Sequence, residues 1–580
     1  LNFVSLIPTF LKPVAHEIRY RFFTDKAEEI LAHEVEAMQA QWRAIMSNSE
    51  EFIANIGHDE ETKHVLFVTG YGVGSHFLAI EPTIAMALYA RGCKISSLYC
   101  NKSLPSCEHN AVGNNKPEVL TSLRRGVTDE AITFRCNKCK SNVETTYGIL
   151  PIDLHGNDEF LTGADYQLAL RLSSEVDFET FRDFIYEGVR VGEEAFASVL
   201  RATFMGEVSD TPLNRFLVKR YVMSGVLTTI AYTRAYESLK PDRVVCIHGV
   251  YQTHGLAVKV ANKLNIPVVV LGGGGIRKDT VLVCHNESYH RQLISSDNSE
   301  WQQFKVSEEE KKKTFDYALQ KRSSGAGVDY ISYHPNPIED VESLYRECGI
   351  DASRKIVSLY TNVIWDAQIF YDGNAFRNIF DWIETSIIEL GKNEKVWGVI
   401  RIHPAEVKGG SPSRQPMLAE IQKRFPKLPE NIRIIPPESD ISSYTLAKES
   451  VANIIYGTKM GLEIALMKKP LIICGETFSR NKGYGLDITS KQEYIDLMRE
   501  IHNYTINVEE KLDIALQYAH YYYFRKMIDL PMETFNAGVA GAGKKLKFDS
   551  IADISQGKHE GMDVLCNGIM NLKPFYIGAE

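Results

Sequence analysis

The chain has 580 residues, 44% of them hydrophobic and 24% charged, an ordinary globular composition with length enough for several separately cored domains. Its formal charge of −9 excludes a general nucleic-acid binder, which carries a basic face. No run reaches the roughly 18 apolar residues of a membrane span.

The opening LNFVSLIPTFLKPVAHEIRYRFF is apolar and basic, broken by Pro8 and Pro13, and lacks a small-residue cleavage site, so no signal peptide is expected. A helix packed on the first domain is expected there, with a segment lying on a membrane surface as the alternative. Helix-favouring residues run from Glu17 to Glu51. A strand HVLFVTG, a loop YGVGSH, a helix IEPTIAMALYARG with Pro82 in its first turn and a strand KISSLYC then make a βαβ unit. After a cysteine-bearing insert come mostly helical segments over Asp165–Leu239. The β/α pattern resumes with RVVCIHG, PVVVLGGGG and TVLVCH. A second sheet opens at IVSLYTNVIWD, and its strands run on to PLIICGE. The division expected is a helical segment over 1–60 and a first α/β domain over 61–345 with its insert at about 100–145. A second α/β domain over 346–530 and a tail over 531–580 complete it.

The short hydrophobic runs Val451–Ile455 and Leu471–Cys474 end in glycine or polar residues, the pattern of parallel strands covered on both faces. Polar groups cluster just past the strand ends: Arg401 and His403, Glu438 and Ser439, Thr458 and Lys459, Glu476. Open α/β sheets bind ligands at that edge, and these groups suit an anion. Two doubly wound domains facing each other across a cleft form the architecture called GT-B.

The succession TNVIWDAQ, DWIE, RIHPAE, PSRQ, IIPPES, SSY, IYGTKMGLE, KKP and CGE resembles bacterial and archaeal capsule polysaccharide biosynthesis proteins. More distantly it is similar to capsule Kdo transferases, HP-motif sialyltransferases and CDP-glycerol transferases of teichoic acid synthesis. The resemblance is specific over Ile356–Asp487, weaker over Val65–Cys139 and Val244–His290, and absent elsewhere. It implies a cytoplasmic inverting glycosyltransferase, stationed in solution or at the inner face of the cell membrane. Such an enzyme takes a nucleotide-activated sugar, often a CMP-sugar, and passes it to a glycan or lipid-linked acceptor. Two alternatives stay open: a non-hydrolysing nucleotide-sugar epimerase, and a non-catalytic nucleotide-sugar-binding scaffold.

For the donor, His403 is placed by Pro404, and the resemblance gives it the donor phosphate; a structural histidine packing a turn is the alternative. Arg401 offers a charged fork. Thr458 stands where HP-motif enzymes carry a hydroxyl pair, here Gly457–Thr458, with Lys459 as a compensating cation; an ordinary helix cap is the plainer reading. Glu463 suits sugar hydroxyls or a helix start. Glu438 and Ser439 of PPES suit a nucleobase or ribose, and Asp366 suits orientation of donor or acceptor.

The first domain is expected to hold the acceptor. Gly72 and Gly74 of YGVGSH leave the backbone open to a ligand, but the third glycine of a dinucleotide fingerprint is missing. His248 in CIHGVYQTHG is the first choice of general base, near Tyr251, with His76 and Glu81 as alternates. GGGGIRK reads equally as a cleft loop or a turn. Cys100 and Cys107, with Cys136 and Cys139 of CNKC, suit structural zinc; an iron–sulfur cluster, a disulfide or free thiols are the alternatives, and His109 a substitute ligand. No DxD-like site stands beside the phosphate residues, so no catalytic divalent metal is expected.

Overall fold

The computed structural model describes residues 32–57, 62–69, 71–72, 74–108, 130–272, 277–324, 337–367, 374–408, 413–535 and 543–578. The opening apolar segment, His109 and most of GGGGIRK lie outside these residues.

The first sheet is built from β1 (His64–Thr69), β2 (Lys94–Tyr99), β3 (Asp153–Gly156), β4 (Arg243–Ile247), β5 (Val268–Gly272) and β6 (Thr280–His285). Their order is β6-β5-β4-β1-β2-β3, parallel except that β6 runs antiparallel to β5. All five residues of β5 are buried, as the run PVVVLG predicts for a strand covered on both faces. The second sheet holds β7 (Lys355–Tyr360), β8 (Val396–Arg401), β9 (Ile432–Ile435), β10 (Ser450–Ile455), β11 (Leu471–Ile473) and β12 (Leu486–Asp487). It is parallel throughout, in the order β9-β8-β7-β10-β11-β12. The chain is thus a pair of Rossmann-like α/β domains, the expected GT-B class. In each sheet the strand order reverses once, between β1 and β4 and between β7 and β10. Those switch points open a crevice at the carboxyl edge.

Two expectations are corrected. The helix after β1 begins at Ser75, so Pro82 stands in its second turn and beyond, inside the helix. Proline has no N–H for the carbonyl four residues back. That carbonyl, of Leu78, accepts instead from the Trp42 indole N–H at 3.1 Å, an arrangement sequence spacing does not reveal. The segment after 530 is also no tail. β13 (Ile528–Asp529) pairs antiparallel with β6 and covers the sheet's open edge. The helix Glu560–Asn571 then buries Met562, Leu565, Cys566 and Ile569 in the first domain's core.

One contact between the domains is made by an aromatic ring. Helix Val191–Thr203 of the first domain ends at Phe204, whose left-handed φ of 54° turns the ring into the second domain's core against Trp365, centroids 4.6 Å apart. Gln415 Oε1 accepts from the N–H groups of Gly206 and Glu207, each at 3.1 Å, and the Arg414 N–H donates to the Phe204 carbonyl at 2.9 Å. Gly206 is required there: a Cβ would stand 2.9 Å from the Phe380 ring. Among the described residues no helix is long and apolar enough to cross a membrane.

Trp42→Phe keeps the buried ring but removes the donor to Leu78, and is expected to lower stability by about 1–3 kcal/mol. Pro82→Ala restores the intrahelical donor. In the double variant the Trp42→Phe loss should therefore shrink, and a denaturant double-mutant cycle measures the difference.

Candidate functional site

A cavity of about 1240 Å³ lies where the two carboxyl edges face each other, lined from the second domain by Asn362, His403, Gly457, Thr458, Lys459 and Glu476. His403 follows β8. Its backbone N–H donates to Thr361 Oγ1 at 2.9 Å, and its Nδ1 accepts from the Ala405 N–H at 3.1 Å. Nδ1 is thereby an acceptor, so the neutral ring carries its proton on Nε2 and is a hydrogen-bond donor there. Thr458 Oγ1 accepts from the Met460 N–H at 3.4 Å, opening the helix Met460–Leu466. At Gly457 a Cβ would stand 3.1 Å from the Asn362 side chain. Asn362 therefore takes the room that the first hydroxyl of a pair would need. Its Oδ1 is buried with no hydrogen-bond partner, an acceptor turned to no protein donor.

From the first domain comes a ring of chemistry around Asp366. Tyr251 donates its hydroxyl to Asp366 Oδ1 at 3.0 Å and accepts from the Ala367 N–H at 3.0 Å; Arg201 Nη1 meets the same Oδ1 at 3.3 Å. Half of the Asp366 side chain is accessible, but the accessible half faces the walled cavity. Enclosure pushes its carboxyl up, yet Arg201, His248, His290 and the Tyr251 hydroxyl outweigh this and hold it below its ordinary value. His248 follows β4 with φ 69° and Tyr251 begins the next helix with φ 75°, left-handed conformations that cost a non-glycine residue energy and gather at functional sites. The His248 ring packs among Tyr251, Tyr289 and His290, at centroid distances of 5.1, 5.5 and 5.4 Å. Burial pushes His248 down to about 4 and His290 down to about 3, so both imidazoles are neutral at physiological pH. Of the two, His290 lines the cavity. Arg201 and His290 belong to no motif in the sequence and announce themselves only through the charge partners the fold supplies; Asn362 stands in TNVIWDAQ, where Asp366 drew the attention.

Other expected residues stand elsewhere. Arg401 is buried, and its guanidinium donates to the carbonyls of Pro436 and Ser439 at 2.6 and 3.0 Å. It holds the PPES loop in place; the cavity wall does not include it. In that loop Glu438 is exposed, and Ser439 Oγ accepts from the Ile441 N–H at 3.2 Å. Glu463 is buried and accepts from the Tyr444 hydroxyl at 2.8 Å. In YGVGSH, a Cβ on Gly72 would lie 2.2 Å from the Cys139 carbonyl, so this glycine admits a helix and no ligand. Gly74 precedes the helix Ser75–Tyr89 in extended backbone. His76 packs against Phe77, outside the cavity lining. Glu81 lies in the first domain's interior, where the Tyr147 hydroxyl donates to it at 3.0 Å.

Of the four cysteines, Cys100, Cys136 and Cys139 stand within electrostatic reach of one another. Cys136 and Cys139 lie on the helix Glu130–Tyr147, not in a knuckle, and Cys139 Sγ accepts from the Gly72 N–H at 3.1 Å. Burial pushes the Cys139 thiol up to about 12 and raises Cys100 as well. The Cys107 carbonyl accepts from the Tyr221 hydroxyl at 3.0 Å. Among the described residues no group of three or more His, Cys, Asp or Glu is arranged to hold a metal ion.

No protein-family model matches the chain, and no curated protein matches it in sequence. Among solved structures it is similar to KpsC, a β-Kdo 2,4 transferase of Thermosulfurimonas dismutans, at 16% identity and a TM-score of 0.30, over 48% of this chain and 78% of that one. It is similar to the glycosyltransferase SnogD of Streptomyces nogalater at 14% identity and a TM-score of 0.21, over 79% of this chain and 95% of that one. The UDP-GlcNAc 2-epimerase of Methanocaldococcus jannaschii shows 13% identity and a TM-score of 0.27, over 78% of this chain and 98% of that one. The fold assignment rests on the strand order of the two sheets.

Burial pushes the Glu81 carboxyl up to about 7, against the hydrogen bonds of Thr69 and Tyr147. The folded state therefore holds a proton that the unfolded chain releases above its ordinary carboxylate range. The resulting stability is full at acidic pH and is lost as pH rises towards 7. Glu81→Gln removes that loss, on the order of 2–3 kcal/mol. Melting curves should show the variant gaining on the wild type at pH 8 and losing the advantage near pH 4.5.

Proposed function

We propose that the chain is an inverting glycosyltransferase that takes a sugar from a nucleotide-activated donor, in the synthesis of a capsule or related surface polysaccharide. One observation carries the reading. Hydrogen-bond donors of the second domain and a neutral imidazole of the first, that of His290, face one cavity at the switch points of two α/β sheets. The His403 Nε2–H, the Thr458 hydroxyl and Lys459 suit a phosphate that gains charge as the sugar leaves. Asn362 Oδ1 suits a hydroxyl or amino group of the donor. On the opposite wall His290, with Asp366 beside it, suits an acceptor hydroxyl that must lose its proton. A CMP-sugar is the donor the sequence resemblance favours, and a glycan or lipid-linked chain the acceptor.

Carboxylates at the cavity, Asp366 and Glu476, also fit a second reading, a nucleotide-sugar epimerase. That enzyme turns over its sugar nucleotide without an acceptor and exchanges a ring hydrogen with solvent. Incubation of single CMP-, UDP-, GDP- and CDP-sugars in deuterium oxide separates the two: stereochemical inversion with deuterium uptake supports the epimerase and sinks the transferase.

For the transferase, His403→Ala is expected to lower kcat by about 100- to 1000-fold with a smaller change in donor affinity, because charge on the phosphate develops mainly in the transition state. Thr458→Val should act in the same direction but more weakly. Donor titration by calorimetry, alongside turnover, checks both. Unchanged turnover of His403→Ala at saturating donor would end this assignment.

A further inference from the structure

We propose that His290, not His248, is the group that takes the acceptor proton, an assignment that rests on the glycosyltransferase reading. His290 lines the cavity, whereas His248 stands behind it, closed in by the rings of Tyr251, Tyr289 and His290. His290 Nε2 is buried with no hydrogen-bond partner, so the hydrogen bonds that hold this wall do not use it. The ring feels the charges of both Asp366 and Lys459. It therefore stands within electrostatic reach of both the carboxylate that joins the domains and the cation of the donor side. Asp366 is the less suitable base. Its Oδ1 already receives both Arg201 and Tyr251, which tie it to the opposite domain.

The step balances as follows. The acceptor hydroxyl oxygen bonds to the anomeric carbon while the bond from that carbon to the phosphate oxygen breaks. The bonding pair leaves on the phosphate, and the hydroxyl proton passes to the imidazole of His290. The imidazolium then gives the proton to water. His248 is a positioning residue, whose ring fixes the plane of His290 from behind.

The test uses the full chain and the nucleotide sugar found to bind it, with transfer read against soluble monosaccharide glycosides and against water. His290→Ala is expected to lower transfer by about 100- to 10,000-fold while donor affinity stays within about threefold. Free imidazole should restore part of the rate to His290→Ala and none to His403→Ala. His290→Gln keeps the volume and hydrogen bonding without the basicity; it should fold and be as slow as the alanine variant. Wild-type transfer by His290→Gln, a loss of donor affinity matching the loss of rate, or absence of imidazole rescue overturns the assignment. A chain that binds no nucleotide-activated sugar overturns the reading of the whole site, and the two failures are told apart by the binding measurement alone.

Discussion

One carboxylate fixes the distance between the two domains. Asp366 leaves the first strand of the second sheet and receives Arg201 and Tyr251 from the first domain on a single oxygen. Beside it the Phe204 ring is seated in the second domain's core, with the Arg201 guanidinium 4.5 Å from the Trp365 ring centroid. An exposed ion pair contributes little, but this one faces a walled cavity, and removing either partner leaves a poorly solvated charge behind. Every feature of the site depends on that separation, because neither domain alone closes the cavity. His403 and Lys459 belong to one sheet, His248 and His290 to the other.

The second domain was legible because its central strands are almost wholly buried on both faces. Runs such as Val451–Ile455 and Leu471–Cys474 announce themselves as short apolar segments ending in glycine, and strand ends are where polar groups gather. His403, Thr458 and Lys459 could be placed at the edge for that reason. Arg401 sits at the same strand end, but an arginine there serves a loop as readily as a ligand. The choice depends on where the Pro436 and Ser439 carbonyls point, and that is a tertiary fact.

The first domain was harder to read, since its signals depend on packing between distant segments. Gly72 looked like an opening for a ligand, yet the Cys139 carbonyl fills the space. CNKC looked like a knuckle, but two cysteines three apart fit a helix equally well, and the helix Glu130–Tyr147 forms. Glu81 is a carboxylate whose role turns entirely on the surrounding core. Nothing in the two-residue strand Ile528–Asp529 shows that the chain returns there to the first sheet; the unpaired edge of β6 decides it. His290 lies in the short helix Tyr289–Ser295 just past a strand, in a sequence context that nothing marks as special.

A neutral, low-affinity imidazole is a poor base in an empty cavity, and the donor side explains how it becomes a better one. His290 is held near 3 by burial first, then by His248 and by Lys459, with Asp366 pulling the other way. In the proposed transferase, a nucleotide phosphate seated against Lys459 and His403 brings negative charge to the wall from which the Lys459 cation acts. That charge cancels the part of the depression owed to Lys459, and it adds an attraction for a proton on His290. The proton affinity of the base then rises with donor occupancy, and rises further as the phosphate gains charge in the transition state. Before the donor arrives, the same imidazole is neutral and holds no proton that could repel the acceptor. Under the proposed roles, placing the two functions on opposite sheets, within reach of each other's charge, makes acceptor activation follow donor binding.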